Sequence, residues 1–242
     1  MKTIVCGYGA MGKLLCEMLE AHHSAKLIGA IAPHSEEHPT WVKDNFSGLN
    51  TSFEVIIDFS HPTCLETILA QQKPTVICTT GHTDAQLQAI AQAAKNIPIV
   101  LASNTSQGVN LMHQLVKQAV RALAADFDIE IVEAHHNRKL DSPSGTAKSL
   151  LESIQSSLPE AYTVEYGRAG MAKRQTKEIG IHSLRAGTVV GEHTVVFAGE
   201  DELIEIKHTA LSKKIFAKGA IRAAHFLMDK KSGLYNMQDV IR

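Results

Sequence analysis

The chain has 242 residues, and its 24 basic side chains nearly balance 25 acidic ones, which leaves a formal net charge of −1. This balance gives no general attraction to nucleic acid or to an anionic membrane, so neither is expected as a partner. Apolar residues make up 44% and charged residues 20% of the chain, as in ordinary globular proteins, and no apolar run approaches the roughly 20 residues of a membrane span.

Short apolar runs alternate with helical patterns through the first hundred residues. Strands rich in Val and Ile that alternate with helices favour a parallel sheet with right-handed crossovers. The predicted strands are 3–6, 27–32, 55–59, 75–78 and 97–102, and the predicted helices are 11–22, 63–72 and 84–95.

The rest of the chain begins with a long helix and then becomes rich in strands. Several of these strands alternate in polarity and are joined by short turns that contain glycine, which indicates an antiparallel or mixed sheet. The predicted helices are 111–125, 146–157 and 215–228, and the predicted strands are 128–134, 162–166, 179–186, 193–198 and 203–209.

This order of elements predicts an α/β domain, then an α+β domain, then a terminal helix. We expect that helix to pack back on the first domain, which makes the first domain discontinuous. The predicted domains are 1–104 together with 213–242, and 105–212.

A glycine-rich turn follows the first strand at once. Residues 7–12 read Gly-Tyr-Gly-Ala-Met-Gly and lead into a periodic helix, which is the GxGxxG pattern between a strand and a helix. The first Gly permits a tight turn, the second lets the backbone approach a pyrophosphate, and the third lets helix and strand pack closely. The pattern predicts a Rossmann-type dinucleotide-binding domain. The alternative is a glycine-rich turn without a ligand.

The acidic residue that usually follows the second strand of such a domain is missing. Residues 30–35 read Ala-Ile-Ala-Pro-His-Ser. A carboxylate there would bind the ribose 2′-hydroxyl of NAD and repel the 2′-phosphate of NADP. We therefore expect cofactor use that is relaxed or tilted toward NADPH. His34 and Ser35 are candidates to contact a 2′-phosphate, and a plain loop is the alternative.

Residues 133–147 carry the strongest chemical signal. His135, His136 and Lys139 stand just ahead of a helix start at residues 144–146, and an apolar strand leads into them. Imidazole and ammonium groups supply protons, and uncapped N–H groups at a helix start hold a carboxylate or phosphate. The alternative is a solvated loop. A metal site is not expected, because HExxH is absent and adjacent side chains on a strand point to opposite faces.

The four cysteines, at positions 6, 16, 64 and 78, form no CxxC pair and lie in apolar segments. Buried thiols of this kind are typical of a reducing compartment, so a cytoplasmic location is expected. The strand-like run at residues 3–6 leaves no room for a basic and then an apolar leader region, so no signal peptide is expected.

With these motifs in place, nearly the whole chain resembles the 4-hydroxy-tetrahydrodipicolinate reductase family, also known as the dihydrodipicolinate reductases. The most specific match is Glu-Ala-His-His-Asn-Arg-Lys at 133–139, followed by Asp-Ser-Pro-Ser-Gly-Thr-Ala at 141–147. Supporting matches lie at 7–12, 58–60, 79–81, 102–110, 185–194, 216–220 and 233–240.

The resemblance implies reduction of a cyclic dicarboxylate imine by NADH or NADPH, with loss of the 4-hydroxyl as water, in lysine and diaminopimelate biosynthesis. It implies a homotetramer built through the second domain, which binds substrate. It assigns a catalytic acid/base role to His135 and proton donation to Lys139. The expected substrate-binding residues are His136, Ser144, Gly145 and Thr146. The expected cofactor-binding residues are Gly7, Tyr8, Gly9, Ala10, Met11, Gly12, Cys78, Thr79, Thr80, Ala102, Ser103, Asn104 and Thr105.

Two other readings stay open on the sequence. A non-catalytic nucleotide sensor would share the glycine-rich turn but gives no reason for the His-His-Lys segment. A different dehydrogenase of the same architecture, acting on aspartate or homoserine, would need different site residues.

Overall fold

The computed structural model describes residues 1–32 and 38–242, which form two compact units. Unit 1 comprises Met1–Gln107 and Lys213–Arg242, and unit 2 comprises Gly108–Ser212. The first boundary between the units thus falls three residues after the 104/105 boundary expected from the sequence. The proposed phosphate contacts of His34 and Ser35 lie outside the described residues.

The described residues form twelve strands and seven α-helices. The strands are β1 (Lys2–Cys6), β2 (Lys26–Ile31), β3 (Val42–Lys43), β4 (Val55–Asp58), β5 (Thr75–Ile77), β6 (Pro98–Leu101), β7 (Asp128–His135), β8 (Thr163–Tyr166), β9 (Glu178–Arg185), β10 (Gly191–Ala198), β11 (Leu203–Ala210) and β12 (Gly233–Tyr235). The helices are α1 (Ala10–Glu20), α2 (Leu65–Leu69), α3 (Asp84–Ala93), α4 (Gln107–Leu123), α5 (Gly145–Gln155), α6 (Lys214–Met228) and α7 (Met237–Val240). None of the described helices is both long and apolar enough to cross a membrane.

A seven-stranded parallel sheet forms the centre of unit 1, in the order β12-β6-β5-β4-β1-β2-β3. The chain moves outward from β1 through β2 to β3, and then from β4 on the other side of β1 through β5 to β6. The strand order therefore reverses between β1 and β4, and ligands of doubly wound sheets bind at the carboxyl ends of the strands at such a point.

Helices cover both faces of this sheet. Leu15 of α1 and Ala220 of α6 belong to a buried cluster with Val5 and Ile57 on one face. On the other face α2 and α3 bury Ile68 and Ile90, in two smaller clusters. The predicted α/β fold is confirmed, and the terminal helix α6 packs on the parallel sheet as expected.

A five-stranded mixed sheet forms unit 2, in the order β11-β10-β7-β9-β8. β10 pairs antiparallel with β7 and β11, while β9 pairs parallel with β7 and β8. α4 and α5 bury Val116, Leu150 and Ile154 against the strand residues Ile131 and Phe197. The mixed sheet predicted for the second domain is confirmed.

Two short strands at the edges of the unit 1 sheet were not predicted from the sequence. β3 has two residues and β12 three, and each pairs with the sheet along one side only, at its edge. Their extended form comes from pairing with distant residues, so local periodicity gives no sign of it. The helix expected at 63–72 is a 3₁₀ turn, Pro62–Cys64, followed by the short α2.

Candidate active site

The predicted cofactor-binding residues share one edge of the unit 1 sheet. Because β1, β4, β5 and β6 are parallel, their carboxyl ends lie on the same side of the sheet. Residues 7–12, 58–60, 78–80 and 102–105 begin at or just after these four ends. The structure therefore groups every predicted cofactor-binding residue along the edge where dinucleotides bind in this fold.

Two of the three glycines in the first turn are required by the backbone of unit 1. Gly7 has φ +91°, and a Cβ there would lie 2.4 Å from the Phe59 carbonyl oxygen. A Cβ on Gly12 would lie 2.0 Å from the Gly7 carbonyl oxygen. These two residues must lack a side chain because backbone atoms occupy the space that it would fill.

Gly9 differs, since no atom lies within 4 Å of the place where its Cβ would be. It precedes the first residue of α1, whose N-terminus has no side-chain cap and no acidic residue in its first turn. Backbone N–H groups and the helix dipole therefore face an open approach that suits a pyrophosphate. The residues of this turn fit a dinucleotide cofactor.

Hydrogen bonds hold the neighbouring turns of unit 1. The buried carboxylate of Asp58 accepts from the backbone N–H of Ser60 at 2.9 Å and from its hydroxyl at 2.5 Å. Burial raises the pKa of Asp58, and the hydrogen bonds from Ser60 oppose that rise. The Thr105 hydroxyl donates to the Phe216 carbonyl at 2.7 Å, and Gly219 leaves room for the Thr105 backbone. Complete burial raises the pKa of the Cys78 thiol far above its ordinary value, so Cys78 stays protonated.

One face of the unit 2 sheet changes from apolar to polar along β7. Ile129, Ile131, Glu133 and His135 alternate with residues of the other face, and all four are buried. Ile131 lies beside Val195 and Ile181, whereas Glu133 lies beside His193 and Ser183. The site therefore begins where the packed core of unit 2 ends.

Glu133 is fully buried and accepts four hydrogen bonds. Arg185 donates to both carboxylate oxygens, at 2.9 and 2.7 Å, His135 Nδ1 lies 2.6 Å from Oε2, and the Ser144 N–H donates to Oε1 at 3.1 Å. Burial acts to raise the pKa of Glu133, but the hydrogen bonds from Arg185 and its neighbours outweigh it and lower the pKa to about 2. Glu133 is thus an anion at neutral pH, held on several sides.

This carboxylate orients His135. An ionised Glu133 accepts only, so Nδ1 of His135 carries the hydrogen and Nε2 is left to exchange a proton. A Cβ on Gly191 would lie 3.0 Å from that Nε2, so the glycine makes room for the ring. The Glu133–His135 pair has the geometry of an oriented acid/base group.

His193 packs beside His135, with ring centroids 5.1 Å apart. Its Nε2 lies 2.8 Å from the Ser144 hydroxyl, which accepts from the Ala147 N–H at 3.2 Å. Burial, followed by the nearby His135, lowers the pKa of His193 to about 4. His193 is therefore neutral at neutral pH and ties β10 to the start of α5.

Ser144 corrects one expectation from the sequence. The start of α5 was expected to be uncapped, but the Ser144 side chain caps it at Ala147. Gly145 and Thr146 are the first helical residues, and nothing lies within 4 Å of the place where a Gly145 Cβ would be. The approach to the helix start is open at Gly145, while the Ser144 hydroxyl is engaged inside unit 2.

Lys139 lies on the loop after β7 and is paired within that loop. Its ammonium donates to Asp141 at 2.7 Å, and this hydrogen bond lowers the pKa of Asp141. Arg185 also donates to the Asp141 carbonyl at 2.7 Å. His136 is half-buried and follows His135 directly at the end of β7. One arginine thus joins Glu133 to the loop that carries Lys139.

A metal ion does not suit this cluster. In the part of the chain that the structure describes, Glu133, His135 and His193 offer ligand atoms within 4.8 Å of one another. Both oxygens of Glu133 are already taken by donors, and one donor is the Arg185 guanidinium, which repels a cation. The arrangement serves proton handling better than metal binding.

Sequence reasoning assigned no role to Glu133, Arg185 or His193, although all three lie in the quoted motifs. One signal was available: Glu133 and His135 are two residues apart on a strand and so share a face. The other two residues come from β9 and β10, and only the sheet brings them to that place.

Comparison with known proteins agrees with this organisation. Residues 1–105 match the family model described as dihydrodipicolinate reductase, N-terminus, and residues 108–241 match dihydrodipicolinate reductase, C-terminus. The chain is 44% identical over 245 positions to 4-hydroxy-tetrahydrodipicolinate reductase of Brachyspira hyodysenteriae, covering 100% of both chains. It is 45% identical to the enzyme of that name from Exiguobacterium sibiricum, covering 98% of this chain and 95% of the relative.

Among solved structures, a dipicolinate-bound dihydrodipicolinate reductase from Paenisporosarcina sp. TG-14 has a TM-score of 0.83. The match covers 100% of this chain and 99% of that one, at 23% identity. At this identity, the likeness shows that the two chains share the same fold.

Proposed function

Because the chain belongs to the dihydrodipicolinate reductase family, it is an oxidoreductase of lysine and diaminopimelate biosynthesis, and we propose how its residues divide the work. The family's reaction reduces 4-hydroxy-tetrahydrodipicolinate with loss of water. It requires a hydride donor, a proton donor and binding groups for two carboxylates. The Glu133-oriented His135 beside the start of α5 is the observation that carries our assignment.

Unit 1 holds the nicotinamide cofactor, which supplies the hydride when it is bound. The backbone of Gly7–Gly12 and the start of α1 bind its pyrophosphate. Residues 78–80 and 102–105 follow β5 and β6 at the same edge and bind its nicotinamide end. Thr80 and Ser103 are exposed there, whereas Thr79 and Ala102 are buried and shape the backbone.

His135 acts as the acid/base residue of unit 2. Glu133 holds Nδ1 as a donor, so the proton passes through Nε2. The pKa of Glu133, about 2, means that this orientation persists across the physiological pH range. Arg185 neutralises the buried carboxylate and fixes its position, as a second partner does for many catalytic pairs.

Lys139 binds one substrate carboxylate and donates a proton. Its ammonium is paired with Asp141, whose side chain is half-exposed. A substrate that carries two carboxylates can replace Asp141 as the partner of this ammonium. The N–H groups of Gly145 and Thr146 bind the other carboxylate at the start of α5, and His136 completes the substrate contacts. Ser144, whose N–H and hydroxyl are engaged within unit 2, supports this site by holding the helix start in place. The dipicolinate-bound relative supports a cyclic dicarboxylate as the ligand of this chain.

The second face of the unit 2 sheet suits assembly into a homotetramer. α4 and α5 pack on one face, while Val132 and Val196 of the other face are half-buried, and Leu184 and Leu203 are exposed. Covering the apolar side chains of a sheet face with a second copy of the chain lowers the free energy, because these side chains leave water. Light scattering is expected to give about four times the 26.3 kDa chain mass. A particle of one chain mass at micromolar concentration would rule the assembly out.

A coupled assay tests the activity. Substrate is generated freshly, and the oxidation of NADH and of NADPH is followed separately. Aspartate and homoserine are tested in separate reactions, in which reduction of NAD⁺ or NADP⁺ is followed. We expect turnover of 4-hydroxy-tetrahydrodipicolinate and no turnover of aspartate or homoserine. Dipicolinate is expected to raise the melting temperature, because it binds the folded state. Cofactor binding without turnover of any substrate would favour the nucleotide sensor instead.

A further inference from the structure

A cavity of about 260 Å³ lies in unit 1 at the carboxyl ends of β1, β2 and β4. Most of the residues that line it are apolar, and the others contribute hydroxyl groups and one carboxylate. The lining residues that matter here are Ile31, Phe46, Ile68, Ser60, Thr63 and Asp44. A cavity of this chemistry, at the point where the strand order reverses, suits the adenosine end of a dinucleotide.

The position of Asp44 follows from strand pairing. β2 pairs with β3, so that Ile31 lies opposite Lys43, and the Ala32 N–H donates to the Lys43 carbonyl at 3.0 Å. Asp44 comes next after β3 and therefore lies beside Ala32, and both residues line the cavity. Ala32 directly follows the end of β2, where a dinucleotide-binding sheet normally presents its acidic residue.

We propose that Asp44 replaces that missing acidic residue and selects NADH over NADPH. This rests on the proposed function, since it names the residue that recognises the ribose of the same cofactor. The Asp44 carboxylate accepts hydrogen bonds from the ribose hydroxyls of NADH, and it repels the 2′-phosphate of NADPH.

The charges around the cavity support this choice. Among the described residues that line it, Asp44 carries the one formal charge. The sequence alone led to the opposite expectation of relaxed use or a tilt to NADPH, because that expectation considered only the residues directly after β2.

The main test is the dissociation constant of NADH and of NADPH, measured by nicotinamide fluorescence without substrate. The wild type is compared with Asp44→Asn and with Asp229→Asn, which removes an exposed carboxylate from the same unit, at the end of α6. We expect the wild type to bind NADH at least tenfold more tightly than NADPH. Asp44→Asn should reduce that ratio at least fivefold, and Asp229→Asn should leave it unchanged.

A second measurement locates the cofactor. Cys64 lines the cavity and is half-buried, while the other three cysteines are buried. NADH is expected to slow alkylation of Cys64 by N-ethylmaleimide at least fivefold, in the wild type and at saturating NADH in Asp44→Asn.

Failure of the proposed function and failure of the Asp44 assignment give different results. If neither cofactor binds the wild type, the proposed function fails. If cofactor binds and the wild type favours NADPH, or Asp44→Asn changes the ratio no more than Asp229→Asn, the role of Asp44 is overturned and the proposed function stands. The same holds if bound NADH leaves Cys64 alkylation unchanged.

Discussion

The two candidate ligand sites in this chain are built by opposite means. At the edge of unit 1 the essential feature is missing atoms: Gly7 and Gly12 leave space that backbone oxygens fill. In unit 2 the essential feature is added side-chain atoms, since Glu133 is surrounded by donors from its own strand and from two other segments. The first site is therefore damaged when a side chain is added, and the second when one is removed.

The largest effect is expected from removing the proton-handling groups of unit 2. His135→Ala and Lys139→Ala should each lower kcat by about 10²–10⁴-fold, the usual contribution of general acid–base catalysis. Lys139→Ala should also raise KM, because an ammonium near a dicarboxylate binds as well as donates. Steady-state kinetics measure both constants, and fluorescence titration should find unchanged cofactor affinity.

His23→Ala is the control for His135, because it removes an exposed histidine that follows α1 and lies in no candidate site. It should keep most of the activity. If His135→Ala or Lys139→Ala retains more than a third of the wild-type kcat, that residue does not have the role assigned to it.

Glu133→Gln comes next and is expected to act on both stability and rate. It leaves the Arg185 guanidinium without its buried counter-ion, and breaking such a pair costs about 3–5 kcal/mol of unfolding free energy. Urea unfolding measures the loss. Glu160→Gln, which breaks an exposed pair with Lys177 in the same unit, should cost about 1 kcal/mol or less. Equal losses in the two variants would contradict the burial argument.

Acidification should destabilise unit 2 by up to about 3 kcal/mol for each of two histidines, His113 and His193. Burial lowers both pKa values from 6.5 to about 4. Between these pH values the unfolded chain therefore binds protons that the folded chain does not bind. Stability is therefore full above pH 6.5 and falls as the pH drops toward 4. Glu133, with its pKa lowered from 4.5 to about 2, extends the loss of stability below pH 4.5.

Replacing His113 removes one of these titrations and checks the source of the slope. The unfolding free energy of wild type and His113→Gln is measured between pH 6.5 and 4. The substitution should reduce its slope against pH by an amount equivalent to about one proton, or roughly 1.4 kcal/mol per pH unit at most. An unchanged slope would mean that the folded chain does not hold His113 neutral.

The smallest effect, about 1–3 kcal/mol, is expected from Gly12→Ala, and it is the sharpest test of the glycine argument. A Cβ at Gly12 meets a carbonyl oxygen, so the unfolding free energy should fall. Gly9→Ala meets open space and should leave stability within about 0.5 kcal/mol, as an uncomplicated surface change does. Its methyl group should nevertheless weaken cofactor binding, because it occupies the approach to the pyrophosphate. If both variants lose stability equally, the two glycines do not have distinct roles.

Local patterns in the sequence determined most of the fold and the identity of the chemical groups. Alternating strands and helices indicated the parallel sheet of unit 1, and the change in polarity pattern indicated the mixed sheet of unit 2. The glycine-rich turn and the His-His-Lys segment were visible because the residues of each lie together in the chain, within a single turn or loop.

Only the tertiary structure decided which groups act together. Arg185 reaches Glu133 across 52 residues of sequence, and His193 reaches Ser144 across 49. Asp44 meets Ala32 because a two-residue strand adds to the edge of the sheet, a pairing that no local periodicity reveals. Periodicity reports which face of an element is buried, whereas the partners on that face are set by strand order and register, which depend on the whole fold.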